Sequence, residues 1–422
     1  MRVYLDSIGC RLNQSEIEKI GRDFFACGHD IVSDPSHADV AIVNTCTVTA
    51  AAAADSRKTI RRIAKAGCEN IVGTGCYATI DPKTVADLPS VKHVVSNEKK
   101  DNLLTHVLSE GEMEDIGSPR RIILPGKRKR TRAFIKIQDG CENHCTFCIT
   151  RIARGGIRSQ SEKSILSECT IAVDSGVKEL VLTGVNLGSW GKDIGEKRLN
   201  ALVLNIHEHF PGVRIRLSSI EPWDVNPELI ELFDIPEFCP HLHLPLQSGS
   251  EEILRMMGRK MTARSYRELV SQIRQKSLDI AITSDLMVGF PGETEDLHEE
   301  SKSFIEEIML ADGHVFRYSP RKGTPAERYP DKVRNLIKKQ RSEQIRNLIH
   351  QSKSNYFNRF LGRNLSVLWE KVSVLEDGYL LEGLSDNYIK VETNHTSDLY
   401  NHISTVKIIK ITDNAAVGRI IQ

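Results

Sequence analysis

The chain has 422 residues, 40% hydrophobic and 27% charged, with 57 Lys and Arg against 56 Asp and Glu. That is length for about three domains of roughly 150 residues each, and the balanced charge means that an anionic partner must be met by a local patch, not by bulk attraction. No apolar stretch approaches the roughly 20 residues of a membrane span, and the start, Met-Arg-Val-Tyr-Leu, reads as a strand and not as a secretory leader. Ten cysteines in such a chain argue for a reducing, cytoplasmic compartment, where thiols bind metals more readily than they form disulfides.

Residues 1–117 form the first segment. Short apolar strands over 3–5, 40–43, 70–72 and 93–95 alternate with helical stretches, the pattern of a small α/β domain with a parallel sheet. Cys10, Cys46 and Cys76 follow the first three of these strands. Loops at the C-terminal edge of a parallel sheet gather into one crevice, so three thiolates there can hold three irons of a [4Fe–4S] cluster and leave the fourth open. The alternative is that they are separate small hydrophobes, the reading given to Cys27, Cys68, Cys169 and Cys239, which lack this context. Gly73-Thr74-Gly75-Cys76-Tyr77-Ala78 formally fits the dinucleotide pattern G-x-G-x-x-A. The first βα turn lies elsewhere, however, and Pro82 interrupts the start of the next helix, so glycines making room for a strand-tip cysteine fit better.

A basic linker spans residues 118–132, with seven Lys or Arg, no acid, and Pro119, Pro125 and Gly126 as punctuation. It reads either as a phosphate-holding run or as a solvated hinge.

The second segment, 133–355, repeats strand and helix, with strands expected over 134–137, 179–183, 214–218, 241–246, 280–287 and 314–318 and helices over 164–175, 263–276 and 294–308. Six such units describe a partial (β/α)6 barrel with one open side. Just after its first strand comes GCENHCTFCITRIARG, with Cys141, Cys145 and Cys148 separated by three residues and then two. Three thiolates on a strand-end loop again suit a [4Fe–4S] cluster with one iron open, which is a reaction centre and not a closed electron carrier. A structural zinc site is the alternative, and it needs a fourth ligand from elsewhere. Polar or glycine-rich groups end the later strands at Thr183-Gly184-Val185-Asn186, Ser218-Ser219-Ile220-Glu221, Gln247-Ser248-Gly249 and Gly289 to Thr294. The third segment, 356–422, has short strand-like runs over 365–369, 379–381, 388–391 and 405–411, which describe a small β-barrel of roughly balanced charge. The stretch before it, 321–353, is more basic.

The two cysteine sets, Phe147 before the last cysteine of the second set, Gly9-Cys10 with Asn13-Gln14, and the runs LTGVNLGSWG, SSIEP, HLHLPLQSGS, DLMVGFPGET and YSPRKGTPA together resemble the radical S-adenosylmethionine methylthiotransferases. The resemblance covers essentially the whole chain, as an N-terminal cluster domain, a radical barrel and a C-terminal TRAM domain. Within the family the chain is most similar to the branch acting on N6-threonylcarbamoyladenosine in tRNA. The isopentenyladenosine branch usually has Gly-Gln-Asn where this chain has Gly184-Val185-Asn186, and the ribosomal-protein branch usually has Glu where it has Arg321. One departure is Arg151, which stands where the family commonly has Pro.

The resemblance implies an enzyme with two [4Fe–4S] clusters and S-adenosyl-L-methionine. The cofactor would chelate the open iron of the Cys141/Cys145/Cys148 cluster and be cleaved, after one-electron reduction, to a 5′-deoxyadenosyl radical that activates C2 of the adenine. Sulfur would come from the Cys10/Cys46/Cys76 cluster and the methyl group from a second S-adenosylmethionine. Phe147, Gly184, Asn186, Glu221 and Gln247 are the candidates for cofactor contacts; for Glu221 and Gln247 the alternative is a local cap or turn bond. Implied partners are tRNA, an electron donor such as flavodoxin or ferredoxin, and a sulfur source. Other readings are methylthiolation of isopentenyladenosine or of a ribosomal-protein aspartate, and, outside catalysis, an iron–sulfur electron carrier or a tRNA-binding module.

Overall fold

The computed structural model describes residues 1–108, 131–195 and 198–421. They pack as two compact units, one of residues 1–108, 131–143, 148–175 and 183–185, the other of residues 144–147, 176–182, 186–195 and 198–421. Of the expected basic linker, all but Thr131 and Arg132 lies outside the described residues.

The first unit opens with β1 (Arg2–Ser7), α1 (Arg11–Ala26), β2 (Asp30–Val32), β3 (Val40–Thr45), α2 (Ala50–Lys65), β4 (Ile71–Gly75), α3 (Cys76–Ile80), α4 (Pro82–Ala86) and β5 (Val91–Val95). The strands form one parallel sheet in the order β2-β1-β3-β4-β5. Alternation along β3 explains the layering, because successive side chains of a strand point to opposite faces. Val40 and Ile42 pack with Ile17, Ile20 and Phe24 of α1, while Ala41 and Val43 pack with Ile60 and Ile63 of α2. Thr49 starts α2 as an N-cap, its hydroxyl accepting from the Ala52 N–H at 3.1 Å. The three-residue β2 is an addition to the expected strands; it is hard to see in sequence because its start, Asp30, and the following Ser33-Asp34 are turn-forming residues. The unit is completed by β6 (Arg132–Lys136), β7 (Gln138–Asp139), α5 (Thr150–Arg154), β8 (Arg158–Ser159) and α6 (Glu162–Asp174).

The second unit runs β9 (Glu179–Thr183, whose last residue falls with the first unit), α7 (Leu199–His209), β10 (Arg214–Leu217), α8 (Pro227–Glu231), β11 (His241–His243), α9 (Glu251–Met256), α10 (Ala263–Lys276), β12 (Ala281–Val288), α11 (Glu295–Ile308), β13 (Asp312–Arg317) and α12 (Asn335–Asn358). Strands β9 and β10 are parallel neighbours, as are β11, β12 and β13 in that order. Bridges Ile215↔Phe238 and Ser219↔His243 carry the run from one group to the other. This is the strand–helix repeat of the expected partial barrel, with one correction of length. The strand expected over 241–246 stops at His243, because Pro245 has no N–H to give a ladder. Helix α12, 24 residues long, reads in sequence only as a basic stretch. Its buried side carries Lys338 and Arg341 beside Ile345 and Ile349, which blurs the apolar period that marks a helix.

Five further strands, β14 (Asn364–Leu375), β15 (Gly378–Ser385), β16 (Lys390–His395), β17 (Ile403–Ile411) and β18 (Ala416–Ile420), close into a barrel in the order β14-β15-β16-β18-β17. The sequence shows only four of them; Gly418 interrupts the fifth, where an added Cβ would come within 2.2 Å of Val406 Cγ1. Trp369, Val367, Leu381, Val391, Val406 and Ile408 fill the interior, and the Trp369 indole N–H donates to Ser404 Oγ at 3.1 Å. Among the described residues no helix is long and apolar enough to cross a membrane.

Candidate active site with two cysteine triads

In the first unit, Cys10 is the N-cap residue of α1 just beyond β1, Cys46 follows the last residue of β3, and Cys76 follows the last residue of β4. Since β1, β3 and β4 are consecutive in the sheet, the three thiols share its C-terminal edge. Two glycines make the crowding possible. Gly9 has φ +101° and an added Cβ would lie 2.7 Å from Cys46 Sγ, and Gly75 has φ +95° and an added Cβ would lie 2.4 Å from the Thr45 carbonyl oxygen. Only glycine adopts such conformations without cost, so the Gly-Thr-Gly run ahead of Cys76 serves the strand tip, and the helix after it is only five residues long.

The sulfurs feel one another. Burial first, then the neighbouring Cys10 and Cys76, push the Cys46 thiol up to about 11. Cys10 is an exposed residue, yet the protein crowded around its sulfur raises it, with Arg154 pulling the other way. Two asparagines bracket the triad. Asn13 Nδ2 donates to the Ile8 and Thr45 carbonyls at 2.8 and 3.1 Å, and its Oδ1 lies 3.8 Å from Cys10 Sγ. Asn97 Nδ2 lies 3.6 Å from Cys76 Sγ.

Behind the triad is a buried network of charges that the sequence does not reveal. Arg154 Nη1 donates to Glu16 Oε1 at 2.9 Å and Asp139 Oδ1 at 3.0 Å, and Nη2 to Asn13 Oδ1 at 2.6 Å. Lys100 Nζ donates to Glu16 Oε2 at 2.7 Å, and Lys136 Nζ bridges Glu16 and Asp139 at 3.1 and 2.8 Å. Burial alone would raise the Glu16 carboxyl, but the charges of Arg154, Lys100 and Lys136 outweigh it and hold the group well below the ordinary carboxylate range. A usable signal exists for part of this network. Asn97 and Lys100 follow the end of β5, so polar residues at that strand tip point to the same edge of the sheet as the cysteines.

For the second triad, Cys141 and Cys148 pack with the first unit and Cys145 with the second. Each sulfur faces a nitrogen donor. The Asn143 N–H donates to Cys141 Sγ at 3.4 Å, the Thr150 N–H to Cys148 Sγ at 3.4 Å, and Arg259 Nη1 to Cys145 Sγ at 3.7 Å. Donors aimed at sulfur stabilise thiolate, the form that binds iron, and tune the potential of a cluster. The donors of the second triad therefore suit cluster ligation, and in the first triad Asn97 Nδ2 directs the same kind of donor at Cys76. Gly140, at φ +71°, lets the loop start, since an added Cβ would meet the Gly156 carbonyl oxygen at 1.7 Å.

Of the expected cofactor contacts, Glu221 pairs with Arg259 through bonds of 3.2 and 2.7 Å. Burial pushes its carboxyl up while Arg259 opposes, and the Arg259 guanidinium lies 4.5 Å over the Trp223 ring. Gln247 holds a left-handed φ of 74°, uncommon for a non-glycine residue and a mark of strain at functional strand ends. Its main chain pairs with Asp285 and Met287 of β12 at 2.8 and 2.7 Å. Asn186 is buried just beyond β9, and its carbonyl accepts from the Ser189 hydroxyl at 2.7 Å. Asn186, Glu221 and Gln247 thus sit past the C-terminal ends of β9, β10 and β11 in the second unit. Gly184 falls with the first unit. Phe147 is partly buried against Ile253, Met257, Phe290, Tyr318 and Ala326.

Comparison with known proteins gives the class first. Residues 135–305 match the radical SAM superfamily, and residues 2–96 match the uncharacterized protein family UPF0004. A radical S-adenosylmethionine methyltransferase, TsrM, from Kitasatospora setae shares the fold, with a TM-score of 0.56 at 14% identity over 77% of this chain and 75% of that one. Sequence relatives then narrow it. The chain is 35% identical to the threonylcarbamoyladenosine tRNA methylthiotransferase MtaB of Bacillus subtilis over 97% of this chain and 94% of the relative. It is 34% identical to the protein of that name from Thermotoga maritima, over 93% and 90%. A tRNA-2-methylthio-N(6)-dimethylallyladenosine synthase from Ehrlichia canis matches at 31% identity over 99% of both chains. The chain belongs to the radical S-adenosylmethionine methylthiotransferases, and its cofactors are S-adenosylmethionine and two [4Fe–4S] clusters.

Proposed function

We propose that the chain methylthiolates C2 of N6-threonylcarbamoyladenosine in tRNA, with Cys141, Cys145 and Cys148 holding the cluster that binds S-adenosylmethionine and Cys10, Cys46 and Cys76 holding the auxiliary cluster. The observation that carries this reading is the gathering of Cys10, Cys46 and Cys76 on three consecutive strand ends, a second triad in addition to the one that every radical enzyme of this class needs. When bound, the clusters and S-adenosylmethionine supply the radical, the sulfur and the methyl group. The chain's own residues supply the arrangement. Asn143, Thr150 and Arg259 direct N–H groups at the sulfurs of one triad, and the Arg154 network gives the other a multiply bonded backing. Glu221 holds Arg259 in place, and Gln247 and Asn186 present polar groups at strand ends for the cofactor. An electron donor such as flavodoxin or ferredoxin, a sulfur source and a cytoplasmic setting belong to the same reading.

The test is mass spectrometry of tRNA nucleosides from cells with and without the gene. The expected outcome is loss of 2-methylthio-N6-threonylcarbamoyladenosine with accumulation of its precursor, restored by the native chain and not by Cys141→Ala. Loss of the isopentenyl analogue instead assigns the chain to the sister branch, and unchanged tRNA overturns the tRNA reading.

A further inference from the structure

Helix α5 begins two residues after Cys148, and its last two residues reach all three auxiliary cysteine loops within the first unit. Arg154 grips Asn13 at 2.6 Å, and Asn13 ties the carbonyls of Ile8 and Thr45, which flank the Cys10 and Cys46 loops. The preceding residue offers its carbonyl to the third loop, with Asn97 Nδ2 donating to the Ala153 oxygen at 2.8 Å while lying 3.6 Å from Cys76 Sγ. A carbonyl only accepts, so Ala153 fixes which end of the amide is nitrogen. The Asn97 main chain is held as well, its N–H donating to Thr79 Oγ1 at 2.9 Å on the helix that begins at Cys76.

Asn97 is 6% exposed, and its Oδ1 is a buried atom with no hydrogen-bond partner among the described residues. Leaving such an acceptor unsatisfied costs about 1–3 kcal/mol. A side chain serving packing alone would be relieved of that cost by an apolar residue of the same size, so the amide is kept for its nitrogen and for what its oxygen faces.

We propose that Asn97 is a positioning residue of the auxiliary cluster, its amide bridging Cys76 to the helix that leaves Cys148 and setting the cluster's reduction potential through the N–H directed at Cys76. This rests on the reading of Cys10, Cys46 and Cys76 as cluster ligands. Each added electron places negative charge on the cluster sulfurs, and an N–H donor stabilises the more negative state. Removing the donor therefore lowers the potential.

The experiment uses the full-length chain with Cys141→Ala, Cys145→Ala and Cys148→Ala, so that only the auxiliary cluster is loaded. Asn97→Asp and Asn97→Leu are added separately, and iron content, the spectrum of the reduced cluster by electron paramagnetic resonance, and the midpoint potential are measured. The expected result is full iron content with a lower midpoint in both variants, lower still in Asn97→Asp, and an altered spectrum. A folded variant that loses iron also supports the positioning role. Unchanged midpoint and spectrum in a loaded variant overturn the inference and leave the ligand reading standing. Unfolding of both variants reduces Asn97 to a structural residue and overturns it too. A parent triple variant that binds no iron overturns the ligand reading itself.

Discussion

The surroundings of Cys10, Cys46 and Cys76 differ in kind from those of Cys145. The first set is backed by five charged groups, of which Glu16, Lys100, Arg154 and Asp139 have side chains no more than 5% exposed. Cys145 faces one ion pair, in which Arg259 is 3% and Glu221 16% exposed. A buried, multiply bonded network permits few alternative geometries, whereas a single pair with a partly exposed carboxylate leaves room for another group to approach. Under the proposed reading, the contrast fits one cluster braced from behind by fixed ions and another beside which a carboxylate can yield to the cofactor.

The largest expected effect separates the two triads outright. Replacing Cys10, Cys46 and Cys76 together by alanine should remove about half the iron and abolish methylthiolation while reductive cleavage of S-adenosylmethionine persists. Replacing Cys141, Cys145 and Cys148 together should remove the other half and abolish both activities. Iron assay with quantitation of 5′-deoxyadenosine reads the difference, and equal loss of cleavage in both variants would dissolve the comparison.

A smaller effect tests the two ionic settings. Arg154→Ala leaves Glu16 and Asp139 with Lys136 as the one cation they still share among the described residues, and breaking a buried network by removing one partner costs about 3–5 kcal/mol. Arg259→Ala leaves one partly exposed carboxylate, for which about 1–3 kcal/mol is expected. Denaturant unfolding of the apo chain should rank them in that order. If Arg259→Ala proves the more damaging, the second site is the more rigid of the two.

Much of this arrangement is legible in the sequence, for reasons that also mark its limit. Strand β9 and helix α10 fall on the bounds read from apolar runs and breaks, and the three cysteines after β1, β3 and β4 are visible because a strand tip is a local feature. The ion network is not, because Glu16 and Lys136, or Asn13 and Arg154, are separated by more than a hundred residues and look like ordinary helix and strand surface positions until the fold buries them. Glu221 stands out as a polar strand-end residue, but Arg259, its partner, lies in the GRK run after α9, where a basic residue reads as solvated. Pairing across the chain is what sequence patterns of short period omit.

The smallest effect concerns access and proton affinity. Cys46 is 4% exposed, and its thiol is raised to about 11 from the ordinary 9.0, by burial first. Alkylation proceeds through the thiolate. A folded-state value above the unfolded one means that, at any pH below it, the folded chain holds less thiolate than the unfolded chain, by roughly 100-fold for a displacement of that size. In the iron-free folded chain, iodoacetamide should therefore modify Cys46 slowly at neutral pH, with the rate climbing as pH approaches about 11 and rising at once on denaturation. Cys145, partly exposed, should be modified ahead of it, as mass mapping of the labelled peptides would read. Equal rates for these two thiols in the folded chain would mean that Cys46 is as reachable as Cys145, and the contrast between the two settings would fail at that pair.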